Sequence, residues 1–179
     1  MSKIKSIKAR KILDSRGSWT VEVDLETPQG LFRDSAPAGA SRGKYEAPTV
    51  NPEKAVKNIN EIIGPKLNGK NVADQKEIDD FLKPEKFGAN ATTPVSLAVC
   101  RAAAAAKNLP LYQYIEEISR GQTSGQNFTG ACPRPAFNII NGGAHAGNEL
   151  DFQEFMIVPQ LRTFSKNLEI AREIYQELK

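Results

Sequence analysis

The sequence predicts an α+β chain: a three-stranded antiparallel meander packed on helices over residues 1–130, then a β-β-α portion over 131–179 that reads as the incomplete start of a larger α/β barrel or layered α/β sheet. Three observations carry this. "WTVEVDLET" alternates with period two, putting Trp19, Val21, Val23 and Leu25 on one face and Thr20, Glu22, Asp24 and Glu26 on the other. The period becomes helical at Asn51 and stays so for several segments. The last third holds two nearly continuous apolar runs followed by an amphipathic helix, the pattern of strands covered on both faces.

The elements follow in order. "IKSIKARKILDS" alternates imperfectly at Ile4, Ile7, Ala9 and Ile12 and stops at Gly17, which predicts the first strand. The turn Pro28-Gln29-Gly30 sends "GLFRDSA" back antiparallel to the second. Asn51 as N-cap and Pro52 at the first helical position open a helix carrying Ala55, Val56, Ile59, Ile62 and Ile63 up to Gly64-Pro65. "ADQKEIDDFLK" reads as a second helix capped by Asp74, and "TPVSLAVCRAAAAAKN" as a third whose alanine run allows close packing. "LPLYQYIEEISRG" reads as a fourth, with Leu111, Tyr112 and Ile115 on a common face. The polar stretch "GQTSGQNFTG" has the composition of a linker or mobile loop. "RPAFNIING" and "FQEFMIVP" read as buried strands, and "TFSKNLEIAREIYQELK" as a helix with Leu168, Ala171, Ile174, Tyr175 and Leu178 at helical spacing.

Bulk properties exclude several classes. With 24 basic and 21 acidic residues the net charge is +3, too even to argue for nucleic acid, and no basic stripe with interleaved aromatics occurs. No apolar run approaches the ~18 residues of a membrane span, and the N-terminus lacks an apolar signal region. Cys100 and Cys132 have no partner at metal-ligand spacing, so free thiols in a reducing cytoplasm are expected.

Three polar places stand out. "APAGASRGKYEA", around Ser41, has the small-residue composition of a mobile lid; the plain alternative is an ordinary sheet-to-helix connection. His145, the only histidine, lies in the glycine-rich "NGGAHAG"; alone it would read as a surface imidazole. Gln153 and Glu154 stand inside an otherwise apolar strand, where a charge costs several kcal/mol unless paired or liganded. A buried salt bridge is the alternative for Glu154.

These places, in this order, resemble the enolase family. "ARKILDSRGSWTVEVDLETPQGLFRDSAPAGASRGKYEA" is similar to the family's opening strands and serine lid, "KFGANATTPVSLAVCRAAAAAKNLPLYQYI" to its helix pair, and "PAFNIINGGAHAGNELDFQEFMI" to the stretch leading into its barrel. The resemblance implies an N-terminal cap followed by the start of a C-terminal barrel. It also implies a cytoplasmic glycolytic lyase that dehydrates 2-phospho-D-glycerate to phosphoenolpyruvate and forms a homodimer. In that chemistry a lysine removes the C2 proton, two Mg²⁺ ions on the substrate carboxylate stabilise the dianionic intermediate, and a carboxylic acid assists hydroxide departure. By the same resemblance Ser41 ligates the second Mg²⁺, His145 sits by the phosphate and leaving group, and Gln153 binds substrate. Glu154 binds substrate at the departing hydroxyl and takes part in catalysis with His145, while Arg16 and Glu22 fall at dimer-interface positions.

Departures from the family pattern are specific. Ala38 and Arg42 replace the usual lid serine and threonine, Ser18-Trp19 replaces Asn-Pro, and the segment before Gly88 is shorter. No residue matches the ligands of the first Mg²⁺, the lysine base, the general-acid glutamate or the phosphate-holding Arg and Ser. The expectation is therefore an N-terminal portion or half, inactive alone and completed by a C-terminal enolase half. The alternative is a non-catalytic cap-like interaction module that binds a partner chain.

Overall fold

The computed structural model describes residues 2–37, 39, 43–120, 133–143 and 146–178, and it divides the chain into two compact units, Met1–Gly125 and Gln126–Lys179. The linker-like stretch 121–130 lies outside the described residues, as does Cys132.

The first unit starts with the meander β1 (Ser6–Leu13), β2 (Trp19–Thr27) and β3 (Gly30–Ser35), in the order β1-β2-β3. Ile7 pairs with Leu25, Ala9 with Val23 and Arg10 with Glu22, so the period-two pattern maps directly onto two faces. Val21, Val23 and Leu25 are completely buried, each worth roughly 1.5–3 kcal/mol relative to exposure. Trp19 departs from the expectation: at the first position of the strand it is 56% exposed, beside its cross-strand partner Leu13. Its ring instead carries the Lys11 ammonium, 4.9 Å from the centroid, and Lys11 also pairs with Glu53.

The helices cover the inner face. α1 (Pro52–Asn58) starts at Asn51, whose side chain accepts from Glu53 N as the sequence predicts. The expected stop at Gly64-Pro65 does not occur. The helix widens into a π-turn over Ile59–Ile63 and continues as α2 (Gly64–Leu67). A wide turn gives a proline ring room where a regular turn would press it against the preceding carbonyl. Gly64 serves packing: a Cβ there would meet Ile7 O at 3.0 Å, so any larger residue would push helix and strand slightly apart.

α3 (Gln75–Phe81) follows Asp74, which occupies the N-cap without a side-chain cap bond, and α4 (Pro84–Phe87) is a single turn. The long helix α5 (Ala89–Ala106) begins earlier than "TPVSL" suggests and holds Pro94 inside it. Its Val95, Val99, Ala102 and Ala103 are fully buried, and the helix packs on β2 and β3. Arg101 extends from it to pair with Asp34 of β3. α6 (Leu111–Arg120) turns a different face inward from the expected one. Tyr114 is 1% exposed with Leu111 and Ile118 packed against the core, while Tyr112 and Ile115 point outward.

The second unit contains β4 (Phe137–Asn141), β5 (Glu154–Ile157) and α7 (Phe164–Glu177), with β4 and β5 antiparallel. Its strands were expected to be buried, and here they are not. Phe155 is 41% and Met156 53% exposed, and Leu168 and Tyr175 of α7 are also exposed. Two strands and one helix bury little of one another's apolar surface, so the pattern of a covered strand persists without the cover. Polar contacts fix the start of α7. Asn167, 4% exposed, accepts from Leu161 N at 2.9 Å and donates to Leu161 O at 3.3 Å, while Thr163 caps α7 through Lys166 N. Among the described residues, no helix is long and apolar enough to cross a membrane.

Candidate functional site

Gln153 and Glu154 are positioned by a compact loop between β4 and β5. Gly142 N donates to Gln153 O at 3.0 Å and Gly143 N to Leu150 O at 2.8 Å, folding the chain back on itself. Gly142 is forced by this closure: a Cβ would strike Phe152 O and lie 2.6 Å from Leu150 Cβ. Gly143 takes φ +57°, the left-handed region that glycine adopts without cost. Asn148 completes the turn, donating to Asn141 O at 2.9 Å and accepting from Leu150 N at 3.2 Å. The sequence reading passed over Asn148. An asparagine inside a glycine-rich stretch was the available signal, since its side chain makes turn bonds of this kind.

His145 lies within this loop in sequence but outside the described residues, as do Ser41 and Arg42. The structure thus brings Gln153 and Glu154 against Asn141–Gly143, the stretch leading directly into His145. Ser41 falls in the first unit. Glu154 pairs with Asn141 at the first position of β5 and is exposed, which corrects the reading of it as a charge buried in an apolar strand.

The outer face of the meander carries a network of ion pairs. Asp24 accepts from Arg33 Nε at 2.6 Å and Arg10 Nη1 at 2.6 Å, and these two guanidiniums hold its pKa down at about 2. Glu22 pairs with Arg10, lies 3.7 Å from Arg33 and accepts from Ser35 Oγ at 3.2 Å. Glu22, expected at a dimer interface, is therefore already partnered within its own sheet. Arg16 is exposed in the β1–β2 turn, where its N–H donates to Asp14 Oδ1 at 2.9 Å. Among the described residues, no group of three or more His, Cys, Asp or Glu side chains is arranged to hold a metal ion, so those residues do not by themselves fit the expected Mg²⁺ site.

A meander-and-helix unit followed by a strand–loop–strand–helix unit bearing His145, Gln153 and Glu154 defines a chain of the cap-plus-barrel class. Residues 4–115 match the family model of the enolase N-terminal domain, and 129–179 match that of the enolase C-terminal TIM barrel domain. The chain is 48% identical to an enolase of Mastigamoeba balamuthi, over all of this chain and 44% of the relative. It is 46% identical to enolase 1 of Entamoeba histolytica, over 98% of this chain and 43% of the relative. With an enolase of Solanum lycopersicum it shares 44% identity, over all of this chain and 45% of the relative. The chain belongs to the enolase family. It spans less than half the length of these relatives.

Proposed function

We propose that this chain supplies the cap and the opening of the barrel to an enolase. With the remaining barrel elements it would dehydrate 2-phospho-D-glycerate to phosphoenolpyruvate in the cytoplasm, as a Mg²⁺-dependent lyase of glycolysis and gluconeogenesis. The observation that most supports this is the closure of the Gly142–Gln153 loop, which sets Glu154 beside the backbone leading to His145. A carboxylate and an imidazole carried by one short stretch of chain are the group types that can serve a leaving hydroxyl and a phosphate.

In this reading Gln153 binds substrate through its amide. Glu154 holds or passes a proton at the departing hydroxyl, and His145 donates to the phosphate or leaving group. Ser41 is the candidate ligand of the second Mg²⁺. The metals supply positive charge where the dianionic intermediate develops, and their acidic ligands, like the lysine base and general-acid glutamate, are matched by no residue here. The homodimer of the family would use the charged face around Glu22 and the exposed Arg16.

The test is complementation. The purified chain is mixed with a C-terminal enolase half, and phosphoenolpyruvate formation is followed with Mg²⁺ present. The expected result is turnover that needs both pieces. A stable complex of the two with no turnover would favour a non-catalytic interaction module instead.

A further inference from the structure

Asn138 and Asn141 of β4 are three residues apart, and regular strand alternation would put them on opposite faces. The ladder with β5 places them otherwise. Phe137 pairs with Ile157 and Asn138 with Met156, but Ile140 then pairs with Phe155 and Asn141 with Glu154. Ile139 is passed over as a one-residue bulge, a device that re-aims the side chains beyond it. Partners across a ladder share a face, as do residues two apart along β5. Asn138, Asn141, Glu154 and Met156 therefore stand on one side, and Phe137, Ile140, Phe155 and Ile157 on the other. Without the bulge, the same ladder would set Ile140 against Glu154 and turn Asn141 toward the apolar side.

Asn141 is held at its side chain and at its backbone. Its Oδ1 accepts from Asn138 Nδ2, a bond that regular alternation would not allow. Its carbonyl accepts from Asn148 Nδ2 at 2.9 Å. The next residue, Gly142, donates to Gln153 O at 3.0 Å, the bond of a hydrogen-bonded pair. Asn141 and Glu154 are thus the adjoining pair, of the type whose side chains approach most closely. With Oδ1 engaged by Asn138, the other end of the Asn141 amide is a pair of N–H donors, and an ionised carboxylate only accepts. From this we propose that Asn141 is a positioning residue for Glu154: the bulge brings its amide to the carboxylate's face, Asn138 and Asn148 aim it, and its N–H end orients the carboxylate. The inference rests on the assignment of Glu154 to the proposed site. It adds a residue that acts through Glu154, because a reacting group is effective only when held in one geometry.

The first measurement is made by NMR on the chain itself. The α-protons of Asn141 and Glu154 should show a strong Overhauser contact, since α-carbons of such a pair lie close together. Combining Asn138→Ala with Asn148→Ala should weaken that contact, while the Phe137–Ile157 pairing on the other side of the bulge persists. An undiminished contact in the double variant, or a contact of Ile140 with Glu154 in the unsubstituted chain, would overturn the proposal. The second measurement is a double-substitution cycle on kcat after complementation with a C-terminal enolase half. Asn141→Ala alone should lower kcat about tenfold, the scale of one net hydrogen bond. In a Glu154→Ala background the same change should cost little, because the group it acts through is gone. An equal loss in both backgrounds would overturn the proposal by showing a purely structural role, and an unchanged kcat in Asn141→Ala would overturn it directly. Failure of the enolase assignment shows separately, as absence of turnover in the unsubstituted complex, and the Overhauser contacts then decide alone.

Discussion

The backbone N–H of Gly142 donates to the carbonyl of Gln153 across 3.0 Å, and this bond closes the loop to which His145 belongs. Because a Cβ at Gly142 would strike Phe152 O, Gly142→Ala must open the closure or displace the strand end. Overpacking of this kind costs about 1–3 kcal/mol. In a reconstituted enzyme the substitution should also lower turnover roughly a hundredfold, the scale of an ångström of misplacement. Gly147→Ala, with no heavy atom within 4 Å of the new Cβ, is the matched control and should cost little. Equal effects of the two substitutions on turnover would show that the closure does not matter to the site.

Asp24 sets an acid-stability window. Its ordinary pKa of 3.8 is lowered to about 2 by hydrogen bonds from Arg33 and Arg10. A carboxylate with a depressed folded pKa contributes stability that is present above the unfolded value and is lost as pH falls through the folded one. Urea unfolding of the chain should therefore lose stability as pH falls from about 4 to about 2. Asp24→Asn should be less stable than the parent near neutral pH and flatter across that window. Parallel profiles for the two proteins would rule out the pairing as an energetic feature.

Tyr114 carries a cost that can be removed. Its hydroxyl is buried without a hydrogen-bond partner, and burial pushes its pKa up to about 12. Tyr114→Phe keeps the ring in the core and removes the unsatisfied group, so stability should hold or rise by up to about 1 kcal/mol. Tyr114→Ala should cost about 3–5 kcal/mol, the range for emptying an aromatic site. Denaturant midpoints decide between these outcomes, and a Phe variant destabilised as much as the Ala variant would mean that the hydroxyl has a partner.

Much of this was legible because it is local. The alternation of Val21, Val23 and Leu25 gave the meander and its buried face, and Asn51-Pro52 gave the start of α1 with its capping bond. What failed depended on partners far along the chain. Gly64-Pro65 looks like a stop by composition, but it is a contact with Ile7 and a π-turn that keeps the helix going. In α6 the spacing of Leu111, Tyr112 and Ile115 fits one face, yet α5 selects the face of Leu111, Tyr114 and Ile118, and sequence alone does not say which side meets a neighbour. Gln153 and Glu154 were legible as unusual residues. Burial of Glu154 was not, because an apolar run reports the cover a strand is suited to and cannot report whether the cover is there.

The most direct test of the site is the effect of Glu154→Gln on kcat in the complex of this chain with a C-terminal enolase half. The substitution keeps shape and hydrogen bonding while removing the charge and the titratable proton. kcat should fall by about two orders of magnitude or more, the scale of losing a proton-transfer group. His145→Ala in the same complex should lose less if the imidazole chiefly binds phosphate, and Cys100→Ser should turn over normally. Wild-type kcat in the Glu154→Gln complex would contradict the assignment and leave Glu154 as a surface carboxylate at the start of a strand.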